Sequence, residues 1–238
     1  MRKIRVRGLT INVVRKNIKN LHLAVYPPNG RVRVAAPMRV NDEAVRLAVV
    51  SRLGWIRRQQ RKFTGQERQS SREYVSRESH YFLGRRYLLN VVYHDGPARV
   101  SVNGKPTIDL FVPRGASRAK RQRVLDQWYR RELKAMIPPL LAKWEQTMGL
   151  NVSAWGVKKM KTRWGTCNPI ARRIWINLEL AKKPVQCLEY IVVHEMVHLL
   201  ERKHNDEFIG YMNKFLPQWR SHKDLLNRFP LRHEKWEY

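Results

Sequence analysis

The stretch VVHEMVHLLERKHNDEF, residues 192–208, sets three histidines and a glutamate into an otherwise apolar helical pattern. Burying such groups without partners costs free energy, so the fold must bring something to them. His194 and His198 are four residues apart, with Glu195 between them. On a helix that spacing puts both rings on one face, about one turn apart, where they can share a metal ion. Neutral imidazole suits zinc, and a glutamate at this position can take a proton from a water that the metal activates. The pattern therefore predicts a Zn2+ site with His194 and His198 as ligands and Glu195 as general base.

A catalytic zinc usually keeps three protein ligands. His204 is the natural third, with His222, His233 and Glu234 as rivals. On an unbroken helix His204 would sit about 15 Å along the axis from His194, out of reach. The helix is therefore expected to stop between Leu200 and His204. Asn205 can then cap a new helix, with Asp206 and Glu207 in its first turn.

Around this stretch the chain reads as α+β. Residues 3–36 alternate as strands, with Pro27-Pro28-Asn29-Gly30 as a hairpin turn. Asn41 caps a helix that continues to Phe63, with Val45, Ala48, Val49, Leu53 and Ile56 on one stripe. Residues 64–73 read as a loop. More strands follow in 80–112, with turns at Asp95-Gly96 and Asn103-Gly104. A long helix begins near Ser117, and Pro138-Pro139 should kink or interrupt it. Residues 157–180 read as two short strands around Asn168-Pro169. Helices return over 184–200, 206–216 and 219–228. No internal repeat is visible, and a domain boundary is expected near residue 112.

Charge speaks to partners rather than fold. The net charge is +29, and residues 1–150 hold 32 basic against 10 acidic side chains. Nucleic acid is therefore a candidate partner. No apolar run approaches the roughly 18–20 residues that span a bilayer. The basic N-terminus lacks an apolar signal core, and the two cysteines form no CxxC pair, so a reducing cytoplasmic setting is expected.

The segments MKTRWGTC, IWINLELAKKP, EYIVVHEMVHLLERKHNDEF and LPQW resemble the YgjP-like metallopeptidases, which are related to SprT-like proteins. The N-terminal strand pair, WIRRQQRKF and YFLGRRYLL are similar too, so the likeness covers nearly the whole chain. Thr166, Ile176, Lys203 and Ile209 depart from the family pattern, and none is a proposed ligand. The resemblance implies a zinc metallopeptidase acting on protein or peptide, with His194, His198 and His204 on the metal and Glu195 as base. It also implies a β-rich N-terminal region, 1–112, and a small zincin-type domain, 113–238, whose active-site helix packs on a short antiparallel sheet. In zincins an edge strand beside that helix receives the peptide; residues 172–177 or 158–164 are the candidates. Arg163 and Asn177 are candidate substrate-binding residues. Arg163 could instead pair with Glu179, and Asn177 also suits a helix cap. Trp164 and Gly165 suit core packing and a turn, and Cys167 suits a buried thiol better than a ligand. Kinship with SprT-like proteins extends the charge argument to substrates bound on DNA or RNA.

Overall fold

A computed structural model describes residues 2–26, 30–64, 72–160 and 163–228. It divides into two compact units, whose described residues are 2–64 and 72–228. The first is a four-stranded sheet with two helices. Strands β1 (Arg2–Val6), β2 (Leu9–Lys16), β3 (His22–Tyr26) and β4 (Arg31–Pro37) lie in the order β1-β2-β4-β3, with β2 and β4 parallel. Arg7 and Gly8 join β1 to β2 with φ of 48° and 80°. Positive φ at both positions fits a two-residue hairpin whose twist matches its strands.

Alternation places Ile4, Val6, Ile11, Val13, Val32 and Val34 on one face, packed with Val45, Val49 and Ile56. The helical stripe read as continuous is two helices, α1 (Asp42–Ser51) and α2 (Leu53–Thr64). They part at Arg52, beside Gly54, where helix propensity is low. Asn41 caps α1 by accepting from the Ala44 N–H at 2.8 Å. Strands β3 and β4 pair antiparallel as a hairpin would, although Pro27, Pro28 and Asn29 lie outside the described residues.

The second unit opens with β5 (Ser79–Phe82), β6 (Arg85–Tyr93), β7 (Arg99–Ser101) and β8 (Thr107–Val112). Their order is β5-β6-β8-β7, with β6 and β8 parallel. Order and pairing sense repeat those of the first sheet, a likeness of topology that the two sequences do not display. The boundary expected near 112 falls inside this unit, at the end of β8. Ile108, Leu110 and Val112 share a core with Val124, Leu125 and Trp128 of the following helix.

That helix, α3 (Arg118–Met148), runs 31 residues from the Ser117 cap to Gly149, whose φ is 64°. Pro138 and Pro139 lie inside it and do not interrupt it. Each proline withholds one N–H, from the carbonyls of Lys134 and Ala135. All four residues are exposed, so water can satisfy the freed carbonyls.

A small sheet follows, from β9 (Ala154–Lys158), β10 (Gly165–Asn168) and β11 (Arg173–Asn177), in the order β10-β11-β9. It is mixed rather than antiparallel, because β9 and β11 run parallel. A short 3-10 helix, Leu178–Lys182, leads to α4 (Val185–Val197), α5 (Asp206–Phe215) and α6 (Trp219–Arg228). α4 packs against α3, α5, α6, β10 and β11. The described residues thus form an α+β fold, and no helix among them is long and apolar enough to cross a membrane.

Candidate metal centre

α4 is buried on most sides: Leu188, Val192, Val193, Met196 and Val197 all lie in the core. Helix geometry ends at Val197, with His198 as the cap. This is three residues earlier than the apolar pattern suggests. The Leu199 and Glu201 N–H groups bond back to the Met196 and Val197 carbonyls, both at 2.9 Å, which closes the last turn. The chain then reverses. Asn205 starts α5 by accepting from the Phe208 N–H at 3.0 Å, leaving His204 at the junction.

The reversal brings the three rings together. One donor atom from each of His194, His198 and His204 lies within 4.8 Å of the other two. Nε2 of His204 and Nε2 of His194 are 3.0 Å apart. Nδ1 of His198 donates to the Glu201 carbonyl at 3.0 Å. A carbonyl can only accept, so in the neutral ring it is Nε2 of His198 that has the lone pair for the cluster. Burial, with His198, His204 and Lys223 adding to it, lowers the pKa of His194 to about 3. Burial also lowers that of His204, with His198 and Lys223 behind it. Three nitrogen donors, two of them held neutral, suit a divalent metal ion.

Glu195 is 5 % exposed. Burial pushes its carboxyl up to about 8, and Arg163 pulls the other way. Both line a cavity of about 630 Å³, with Gly165, Cys167, Tyr190 and the three histidines.

A model of the YgjP-like metallopeptidase domain matches residues 19–229. This chain belongs to the YgjP-like metallopeptidases. Membership makes it a metal-dependent peptidase with a protein or peptide substrate. A comparison with curated proteins finds no match.

In this YgjP-like chain the other residues singled out in the sequence take distinct places. Asn177 is 4 % exposed and meets the backbone of Met160 and Arg163. Its amide donates to the Met160 and Arg163 carbonyls at 3.0 and 2.6 Å, and its oxygen accepts from the Glu179 N–H at 3.1 Å. It caps the 3-10 helix and braces the backbone of Arg163, whose side chain lines the cavity. Glu179 is bound by Lys182 at 2.8 Å. Cys167 lines the cavity outside the histidine cluster, and burial raises its thiol to about 11. Tyr190 stands edge-on to His194, 5.8 Å between centroids, and stacks on Trp219.

His222, a rival ligand, sits on α6 outside the cluster. His233 and Glu234 lie outside the described residues. Trp164 is half-buried against the core. Gly165 makes no turn; it opens β10, directly opposite Glu195.

β10 is also the outer strand on the α4 side. β11, which holds residues 173–177 of the expected edge segment 172–177, is flanked on both sides. Among the described residues of the other candidate, 158–164, only Lys158 is a strand residue, the last of β9. Phe208 was not singled out in the sequence. Its buried ring lies 5.0, 4.8 and 4.6 Å from the centroids of His194, His198 and His204. Its position three residues past the Asn205 cap is the signal that could have found it.

Proposed function

We propose that the metal is zinc, held by His194, His198 and His204, and that Glu195 is the general base of peptide hydrolysis. The observation that carries this reading is the convergence of three imidazoles beside one buried carboxylate on a single cavity wall. Bound zinc supplies a Lewis acid that polarises a carbonyl and acidifies water. A cation held by the histidines would draw the raised Glu195 carboxyl back down. Glu195, ionised, then takes the proton from the attacking water on a carboxylate oxygen and returns it to the departing amine. The buried Phe208 ring holds solvent off one side of the histidines. Two free cysteines, Cys167 and Cys187, fit a cytoplasmic setting.

Substrate binding follows from β10. The Asn177 N–H bonds to the Trp164 carbonyl at 2.9 Å. In the antiparallel register the backbones of Trp164, Thr166 and Asn168 therefore face β11, and those of Gly165 and Cys167 face outward. An extended peptide adds to those free groups as a further strand. Arg163, at the near end of that strand, binds the peptide, and Asn177 holds Arg163 in place.

Glu195→Gln should abolish hydrolysis while metal analysis still finds zinc. Undiminished turnover in that variant would remove Glu195 from the mechanism.

A second surface supports nucleic-acid contact, and with it action on proteins bound to nucleic acid. In the sheet of the first unit Lys3, Arg5, Arg31 and Arg33 alternate with the packed positions Ile4, Val6, Val32 and Val34, with Lys3 opposite Asn12 and Asn12 opposite Arg33. None of its four strands contains an acidic residue. Oligonucleotide affinity should fall steeply with salt as phosphate contacts release counterions. Salt-independent binding would count against this surface.

A further inference from the structure

Three cations from three parts of the second unit line the catalytic cavity. Arg163 precedes β10, Arg202 lies in the reversal after α4, and Lys223 is on α6. Glu195 is the one carboxylate on the described wall, and it is buried beside the histidines. Cys167 and Tyr190, with ionisations raised to about 11 and 12, remain uncharged at neutral pH. Of the acids close in sequence to these cations, Glu201 accepts from the Lys203 N–H at 2.7 Å and Glu207 meets the Tyr211 hydroxyl, while Asp206 and Asp224 are exposed and outside the cavity lining. Lys223 is steadied over the Trp219 ring, 5.5 Å from its centroid. The mouth therefore carries three positive charges, and a bound divalent metal adds two more at its floor.

We propose that this cavity selects peptides with an aspartate or glutamate side chain beside the scissile bond, read by Arg163, Arg202 and Lys223. The proposal rests on the peptidase reading above and adds its substrate class. A partly enclosed wall of one sign focuses the field, so a carboxylate gains more here than on open surface. A lysine or arginine in the same place meets like charge from three directions. Selection comes from attraction and rejection together. The three side chains are exposed, so the preference is sensitive to salt.

The test uses the full, metal-loaded chain and matched peptides carrying Asp or Glu, Ala, or Lys in turn at each position flanking the bond. Acidic peptides should be cleaved with kcat/KM at least about tenfold above alanine peptides, with lysine peptides lower still, and the gap should narrow as salt rises. Anisotropy of the same labelled peptides on Glu195→Gln protein should show the same ranking in affinity, without turnover. The double reversal Arg202→Glu with Lys223→Glu should move the preference to lysine peptides at unchanged metal content. If it misfolds, Arg202→Gln with Lys223→Gln should flatten the preference instead. Cleavage without charge preference, or a preference that survives these changes, overturns the proposal and leaves the peptidase reading standing. Turnover of phosphate esters and of no peptide overturns both.

Discussion

A Cβ on Gly165 would lie 2.7 Å from both Cγ and Oε1 of Glu195, so the glutamate occupies the space any other residue there would need. Gly165→Ala must therefore displace either β10 or the carboxylate. The overpacking should cost about 1–3 kcal/mol of stability. Misplacing the base by a fraction of an ångström to one ångström should lower kcat roughly 100-fold. The histidines are untouched, so metal content should stay at the wild-type level. Unchanged kcat would mean that the position of Glu195 is not critical.

Asn205 should govern metal affinity without touching metal. Its side chain caps α5 at the Phe208 N–H, between His204 and the ring that packs on all three histidines. Asn205→Ala should cost about 1 kcal/mol of stability. It should weaken metal binding about 10-fold, read by chelator competition. Asn205→Asp keeps the acceptor and should restore most of both; equal loss in the two variants would rule out the cap as the cause.

Asn177→Ala leaves the Met160 and Arg163 carbonyls and the Glu179 N–H without their partner. Unmade buried hydrogen bonds of this kind should destabilise the protein by about 2–3 kcal/mol. For a unit of this size the thermal midpoint should drop by about 5–10 °C. KM should rise more than kcat falls, because the variant loosens Arg163 and leaves Glu195 in place. A midpoint within a degree of wild type would contradict the bracing role.

His80 makes stability depend on mild acid. It is 5 % exposed, and burial lowers its pKa to about 4 from 6.5, against the pull of Glu78 at 3.5 Å. Between those values the unfolded chain binds the proton and the folded chain resists it. The stabilisation is therefore complete above about pH 6.5 and is lost as pH falls toward 4. The loss should be on the order of 3 kcal/mol. Thermal midpoints of wild type and His80→Gln, measured across that window, should converge at the acid end. Parallel curves would assign the acid sensitivity to another group.

What the sequence shows of this site is what short-range rules govern. The His194–His198 spacing, the stop ahead of His204 and the Asn205 cap each depend on residues within about one helical turn. The role of Gly165 depends on β10 meeting α4 across a gap of 30 residues, and no local pattern announces that approach. The parallel pairs β2/β4 and β6/β8 are hidden for the same reason, since alternation marks a strand and not its neighbour. Pro138 and Pro139 mislead because their cost depends on whether water reaches the freed carbonyls, a matter of exposure. β9 is short, and its partner β11 lies beyond the intervening β10, so it does not stand out as a strand.

The early stop of α4 carries a thermodynamic consequence. An ion gripped by His194 and His204 would close a loop of ten residues, acting as a cross-link between α4 and the junction ahead of α5 rather than as a passenger on one helix. Its affinity then includes the free energy of ordering that loop. Folding and metal supply become linked: each tenfold rise in free ion above the dissociation constant adds about 1.4 kcal/mol to stability. The melting temperature of this peptidase should therefore report on the metal concentration around it.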